Sequence, residues 1–221
     1  MIHSKAQPHT RLKTQLIDIP RENYYVSLKI TVTGTEDVDG KEVFFYRSYL
    51  LAGCASLVRL HDAFTITGPN GKHDGLVLDT LGPNLSELLR KRPEFQVCEP
   101  WERRFTTAFA KRAFLDTLKA LDLRHQRDVV HGDLHFGNVL TCIGQLKVSP
   151  ETERKLQQSV SEGKPLVRKD GKKDLWAPSY LLEPRPLHEY FSDELQPFVK
   201  LAGLGGGKSI GKMSVSTRTS D

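Results

Sequence analysis

The feature of this 221-residue chain that most constrains its folding is the stretch Val129-Val130-His131-Gly132-Asp133-Leu134-His135-Phe136-Gly137-Asn138-Val139-Leu140. It follows a long helical pattern and closes on an apolar pair suited to a short strand. Between them lie polar side chains and two glycines, which read as a tight loop because such groups cannot be buried without partners. A loop of this kind presents the Asp133 carboxylate and the Asn138 amide, five residues later, to one cleft. A carboxylate so placed can take a proton from a hydroxyl, and an amide oxygen beside it can reach a cation.

The length permits a sizeable core, as one domain or two small lobes. Hydrophobic residues make up 38% and charged ones 27%, with 10 Phe, 6 Tyr and 2 Trp. That excludes a fully disordered, collagen-like or disulfide-stapled chain. No apolar run approaches the roughly 20 residues of a membrane span; the longest near-candidate lies around Leu50 to Val58. No apolar segment follows Met1 in the manner of a secretory signal, so no membrane association is expected. Cys54, Cys98 and Cys142 are odd in number, widely spaced and without a CxxC. This suits a reducing compartment, cytoplasmic or nuclear. The net charge is +5, yet the basic residues are scattered: Arg90-Lys91-Arg92, Arg103-Arg104, and Lys169 to Lys173 with acids mixed in. A nucleic-acid groove needs a continuous basic stripe interleaved with aromatics, so nucleic acid is not an expected partner. The first fifteen residues lack acids and carry Lys5, Arg11 and Lys13, a faint transit-peptide character.

Periodicity then orders the elements. Tyr25 to Val32 alternates, with Val26, Leu28, Ile30 and Val32 on one face and Ser27, Lys29 and Thr31 on a polar face, which predicts a half-buried strand. The turn-prone Gly34 to Gly40 leads into an apolar-aromatic run, Glu42 to Leu51, read as a helix ending at Gly53. Ala63 to Thr67 and Gly75 to Asp79 flank Gly68-Pro69-Asn70-Gly71 as a hairpin. After Gly82-Pro83, Asn84 and Glu87 form a capping-box pattern ahead of Leu85, Leu88 and Leu89. A longer helix from about Arg104 to His125 places Phe105, Phe109, Phe114, Leu118 and Leu121 in a buried stripe. Ser149-Pro150 opens a short helix ending near Gly163. Residues 164–197 read as a loose spacer, Phe198 to Ala202 as a brief strand, and Gly203 to Asp221 as a disordered tail.

The His-x-Asp-x-x-x-x-Asn spacing resembles the catalytic loop of phosphotransferases of the protein-kinase fold. The flanks extend the resemblance. Lys29, in Tyr25-Val26-Ser27-Leu28-Lys29-Ile30, resembles the strand lysine that pairs with the α- and β-phosphates of ATP. Glu42 resembles the helix glutamate that holds that lysine. Leu76 to Gly82 resembles the fifth strand and hinge, with Leu78 as gatekeeper and the Asp79 and Leu81 backbone binding adenine. The nearest group is the SR-protein-kinase-like Ser/Thr kinases, in divergent form. Two details point there: the Leu-Gly-x-Asn-Leu hinge exit, Leu81 to Leu85, and a long spacer before Ala202-Gly203-Leu204-Gly205, which resembles an Asp-Leu-Gly metal-binding segment.

The resemblance implies an incomplete, two-lobed α+β fold of the protein-kinase type. Its segments would be a tail without a Gly-rich loop (1–24), an N-lobe remnant and hinge (25–82), and the start of the helical C-lobe through the catalytic loop (83–140). A spacer (141–197) and a degenerate metal-binding segment with tail (198–221) would follow. It implies ATP as cofactor and a protein hydroxyl as acceptor, with Asp133 accepting the hydroxyl proton and Asn138 holding Mg²⁺ weakly or not at all. The departures bear on activity. Residues 1–24 contain no glycine, Gly203 stands where the Mg²⁺-binding aspartate belongs, and Gly132 replaces the usual arginine. No activation loop or central C-lobe helix follows, which would leave the Phe114 to Leu121 stripe uncovered and in need of a stabilising partner. Impaired transfer is expected, and restoring Gly203→Asp is expected to raise it at least about tenfold.

Other readings stand beside this one. A kinase-shaped binding module without transfer fits the same residues. His-Gly-Asp-Leu-His-x-Gly-Asn also resembles the aminoglycoside and choline phosphotransferases, which act on small molecules. Ala202 to Ser209 fits a relaxed P-loop, but a P-loop must open a helix within a βαβ unit. His131, Asp133 and the distant His188 could form a facial metal triad, a chemistry at odds with so helical a chain.

Overall fold

The computed structural model describes residues 15–19, 24–31, 41–50, 54–68, 71–91, 103–144, 146–167, 179–183, 185, 187–191 and 198–209. The expectations for Gly34 to Gly40, Cys98, Lys169 to Lys173 and residues 210–221 lie outside these. In chain order the elements are β1 (Gln15–Ile19), β2 (Tyr24–Ile30), α1 (Lys41–Leu50), β3 (Leu60–Gly68), β4 (Gly71–Leu78), α2 (Leu85–Lys91) and α3 (Thr107–His125). There follow β5 (Val129–Val130), β6 (Val139–Thr141), α4 (Pro150–Leu156), β7 (Lys164–Pro165), β8 (Tyr180–Leu181), β9 (Val199–Leu201) and β10 (Lys208–Ser209). They form two units, one from Met1–Val43, Leu60–Thr80 and Gln145–Leu187, the other from Phe44–Arg59, Leu81–Gly144 and His188–Asp221.

The first unit is built on an antiparallel sheet of order β1-β2-β4-β3. Val26, Leu28, Leu76 and Leu78 are buried along its central strands. The hairpin is longer than its turn signal suggested: β3 and β4 pair until Gly68 faces Gly71, so only Pro69 and Asn70 connect them. The polar face read for β2 also needs correction. Lys29 is buried, because Glu42 at the start of α1 supplies its counter-charge. The chain from Leu146 on packs against this sheet, and the described residues of 164–197 carry more order than a loose spacer. The Tyr25 N–H donates to the Leu146 carbonyl at 3.2 Å, and Ser149 caps α4 by accepting from the Thr152 N–H at 3.1 Å. That helix ends at Leu156 rather than near Gly163. Gln157 is already extended, and the Ser159 hydroxyl takes the Ser161 N–H, a local bond that competes with the helical ladder. The short β7–β8 ladder follows, and Arg185 bonds back to the Gln157 carbonyl.

The second unit centres on α3 and the β6–β9 ladder. Thr106 caps α3, accepting from the Phe109 N–H at 3.3 Å. The expected apolar stripe is corrected here. Phe114, Leu115 and Leu118 are exposed, and the buried face carries Ala113, Asp116, Thr117, Ala120 and Arg124. Two alanines let β9 pack close on the helix. The Asp116 carboxylate accepts the backbone N–H groups of Phe198 at 2.7 Å and Val199 at 3.4 Å. Phe105 and Phe109 stack at 4.3 Å, and Phe109 meets Phe198 edge-on at 4.6 Å. β9 also takes the Ser56 carbonyl on its Leu201 N–H at 2.8 Å, across from β6. Beyond it, Leu204–Gly206 makes a 3₁₀ turn and β10 pairs with β5. Residues 203–209 are thus structured rather than part of a disordered tail. Lys208 and Ser209 lie on a strand, which removes the P-loop reading.

Asp116 ties β9 to α3 across more than 80 residues of sequence. Asp116→Ala leaves two buried N–H groups without their acceptor, and charge-assisted bonds of this kind contribute about 2–3 kcal/mol. Urea denaturation is expected to show a loss of that size; a loss under about 0.5 kcal/mol would mean the carboxylate contributes no anchor.

Candidate active site

In the sheet unit, β2 aims Lys29 at the face where α1 begins. Its ammonium donates to both Glu42 oxygens, at 2.5 Å and 2.7 Å. Both residues are buried, so the pair is fixed by geometry and by the absence of competing water. The segment after β4 follows on the same sheet. Leu78 is buried and faces Ser27 and Leu60 across the ladder. The Asp79 carboxylate meets His61 Nε2 at 2.9 Å, and the Thr80 hydroxyl donates to the Tyr25 carbonyl at 2.8 Å. Leu81 begins the next stretch of the other unit and is half-buried. Sequence reasoning placed Asp79 by its backbone and missed its side-chain bond to His61, which only the register of β3 against β4 brings into reach.

In the helical unit, the loop between β5 and β6 brings Asp133 and Asn138 together. The Asn138 amide nitrogen donates to the Asp133 carbonyl at 2.8 Å and to its carboxylate at 3.1 Å. His135 was not singled out from the sequence, although it lies two residues from Asp133 in the same motif. Its Nδ1 accepts the Gly137 N–H at 2.9 Å, and its Nε2 lies 3.6 Å from the Asp133 carboxylate and 3.1 Å from the Asn138 amide nitrogen.

His131 is tied into the fold through both ring nitrogens. Its Nε2 donates to the Ala202 carbonyl at 2.7 Å, and its Nδ1 accepts the Asp133 N–H at 3.3 Å. Both ring nitrogens are therefore satisfied in the neutral form. Burial lowers its pKa below 6.5, with the Arg124 charge acting the same way, while the bond to Ala202 opposes them.

Two glycines shape this loop and the segment beside it. Gly132 has φ +74°, and a Cβ there would lie 2.2 Å from the Gly206 carbonyl oxygen. The arginine usual at this position has no room in this conformation. Gly203 has φ +78°, and a Cβ there would meet the Asn138 amide at 2.6 Å (Cγ), 2.7 Å (Oδ1) and 2.8 Å (Nδ2). An aspartate at 203 meets the same obstacle, so the gain expected from Gly203→Asp alone does not follow from the geometry.

Mg²⁺ takes six oxygens in near-octahedral array, often one or two carboxylates with phosphates and water. The donors here do not fit that set. Residue 203 has no side chain, and no group of three or more His, Cys, Asp or Glu suited to a metal exists among the described residues. The last point also leaves His131, Asp133 and His188 without the facial-triad arrangement.

A sheet with a buried lysine–glutamate pair and a loop presenting a carboxylate beside an amide belong to one class of fold, that of the protein kinases. The crystal structure of the PF14_0431 kinase domain superposes on 94% of this chain, and 50% of that one, with a TM-score of 0.55 at 17% identity. Among curated proteins, the chain is similar to serine/threonine-protein kinase SKY1 of Saccharomyces cerevisiae, 28% identical over 136 residues. It is similar also to serine/threonine-protein kinase spk-1 of Caenorhabditis elegans (27% over 132 residues) and protein kinase dsk1 of Schizosaccharomyces pombe (33% over 94 residues). These alignments take in 57%, 59% and 42% of this chain but 17%, 12% and 16% of the relatives, so it spans less than a fifth of their length. No protein-family model matches. The resemblance to SR-protein-kinase-like Ser/Thr kinases therefore holds over part of the chain, and the fold is kinase-like.

The contact between Gly203 and Asn138 is open to a double-mutant cycle. Gly203→Ala is expected to cost about 1–3 kcal/mol, from left-handed backbone strain plus the clash. Asn138→Ala removes the clashing atoms, so the double variant should be more stable than the two losses summed, by at least about 0.5 kcal/mol. Losses that add within about 0.3 kcal/mol would show that the amide is no obstacle.

Proposed function

We propose that this chain binds ATP as a Ser/Thr protein kinase-like protein and transfers its γ-phosphoryl group to a protein hydroxyl only slowly. The observation that carries the reading is the buried Lys29–Glu42 pair. A buried ion pair is a poor source of stability, since desolvation offsets most of the attraction. An ammonium held so rigidly serves recognition of an anion better than it serves folding. Two of its three N–H groups point at Glu42; the third is the one a phosphate oxygen can take. The sequence similarity to SKY1 and spk-1 supports the same reading.

Asp133 is exposed, with its carboxylate steadied by the Asn138 amide. In the proposed reaction it accepts the proton of the substrate hydroxyl as the oxygen attacks the γ-phosphorus and ADP leaves. Phosphoryl transfer depends almost wholly on positioning and charge neutralisation. Removing one stabilising donor from an active site costs ~10²–10³ in rate, and glycine at 203 removes a carboxylate. Turnover is therefore expected ~10²–10³ below the 1–100 s⁻¹ usual for kinases. The free thiols of Cys54 and Cys142 accord with a cytoplasmic or nuclear setting, and among the described residues no helix is long and apolar enough to cross a membrane.

At a hundredfold excess over Kd, ATP contributes about 2.7 kcal/mol, so the Tm is expected to rise by about 5 °C or more. The Lys29→Met, Glu42→Gln double variant removes the pair without leaving a lone buried charge, and should lose that rise. An unchanged Tm for the wild type would overturn the reading. A full rise with no detectable transfer would favour the binding module over the slow enzyme.

A further inference from the structure

We propose that His61 is a positioning residue for the base of the nucleotide: through Asp79 it fixes the stretch of backbone that the base meets, an inference that rests on the nucleotide-binding reading above. All the residues concerned belong to the sheet unit. From Gly68 back to Asp62, β3 pairs with β4 residue by residue, and Asp62 faces Val77; the next pair is Leu60 with Leu78. His61 is thus one residue too many for the ladder. An extra residue of this kind is left unpaired and re-aims its side chain, and such bulges recur beside active sites. Here the imidazole reaches past the end of β4, with Nε2 2.9 Å from the Asp79 carboxylate. A carboxylate only accepts, so the ring nitrogen is the donor.

The two side chains keep 16% and 18% of their surface exposed, and the Tyr24 ring lies beside His61 with centroids 6.2 Å apart. Water competes less for a bond so covered than for an ion pair on an open surface. Thr80, the next residue, is moored on the other side: its hydroxyl donates to the Tyr25 carbonyl of β2 at 2.8 Å. Both ladders of β4 close at Leu78. Asp79 and Thr80 are therefore the first residues past the sheet, and a side-chain bond to each neighbouring strand takes over where the ladder stops.

Their place along the strand suits a base. Lys29 faces Leu76 across the β2–β4 ladder, and Asp79 lies three residues further on, roughly 10 Å at the rise of a strand. An extended nucleotide with its phosphates at the Lys29 ammonium spans a similar distance to its base. In the other direction β4 runs through Gly75, which pairs with both Ile30 and Phe64, so its backbone is taken up by the sheet. A purine edge needs donors and acceptors at fixed places, and a segment held before the ligand arrives gives up less freedom on binding. Loss of the His61 bond therefore weakens the hold on the base and leaves the hold of Lys29 on the phosphates.

The test is calorimetric titration of the full chain with ATP and, separately, with inorganic tripolyphosphate, for the wild type, His61→Ala and His61→Gln. His61→Ala is expected to raise the Kd for ATP at least about tenfold and to leave that for tripolyphosphate within about twofold. His61→Gln, whose amide nitrogen can stand where Nε2 stood, should bring the ATP value back to within about threefold of the wild type. Equal losses for both ligands, no loss for ATP, or no recovery in His61→Gln would overturn the inference while leaving ATP binding by the wild type intact. Tripolyphosphate that fails to bind the wild type would remove the separate phosphate contact and overturn it as well. Absence of ATP binding by the wild type would overturn the nucleotide reading itself, and this inference with it. Proton–nitrogen NMR of the His61 ring in the wild type supplies a readout that does not depend on how the variants fold. Those signals should move with ATP and stay in place with tripolyphosphate; movement with both, or with neither, would contradict the inference.

Discussion

A lysine with 7% of its surface exposed has lost most of its hydration, and only an opposite charge in direct contact makes that tolerable. Lys29 finds Glu42, both oxygens at hydrogen-bond distance, and the surroundings of the pair follow from that requirement. β2 has to run where its nominally polar face is covered. α1 has to begin with its acid turned to the sheet. The same burial that makes the pair a weak stabiliser holds the two side chains against each other. Its chemistry then suggests an anion with several oxygens as the third participant.

The helical unit solves a different problem, that of seating a polar loop against a short ladder. His131 and Asp116 do this from two sides. The first spans from the loop to the Ala202 carbonyl, and the second collects the N–H groups that lead into β9. Between them the chain passes twice through left-handed backbone, at Gly132 and Gly203, where close neighbours leave no room for a Cβ. These glycines are thus requirements of the conformation as much as losses of kinase residues. The consequence for chemistry is a loop whose carboxylate is exposed and whose amide has turned inward toward it.

Local signals carried much of the fold. The cap at Asn84, which accepts the Glu87 N–H at 2.9 Å, the Ser149-Pro150 helix start and the Gly68 to Gly71 turn could be read because each depends on residues within a few positions. The loop from His131 to Asn138 was legible for the same reason, as was the pairing of Lys29 with Glu42 once the resemblance supplied the partner. The failures were non-local. The apolar residues of α3 looked like its core face, but Asp116 bonds a backbone more than 80 residues away and draws the opposite face inward. Residues 203–209 carry no periodicity, yet β5 offers β10 a strand to pair with. Composition reported only polarity and flexibility there. The closure of Asn138 over Gly203 was likewise invisible, since it depends on a φ angle and a side-chain rotamer rather than on residue identity alone.

The central claim, that Lys29 is a phosphate-facing lysine, is tested most directly by an acyl-phosphate derivative of ATP, which acylates a lysine amine lying beside its phosphates. Peptide mass spectrometry of the treated full chain should find Lys29 modified, and excess ATP should suppress that modification while labelling of surface lysines continues. Lys29 left unmodified in folded protein, or modified equally with and without competing ATP, would contradict the account.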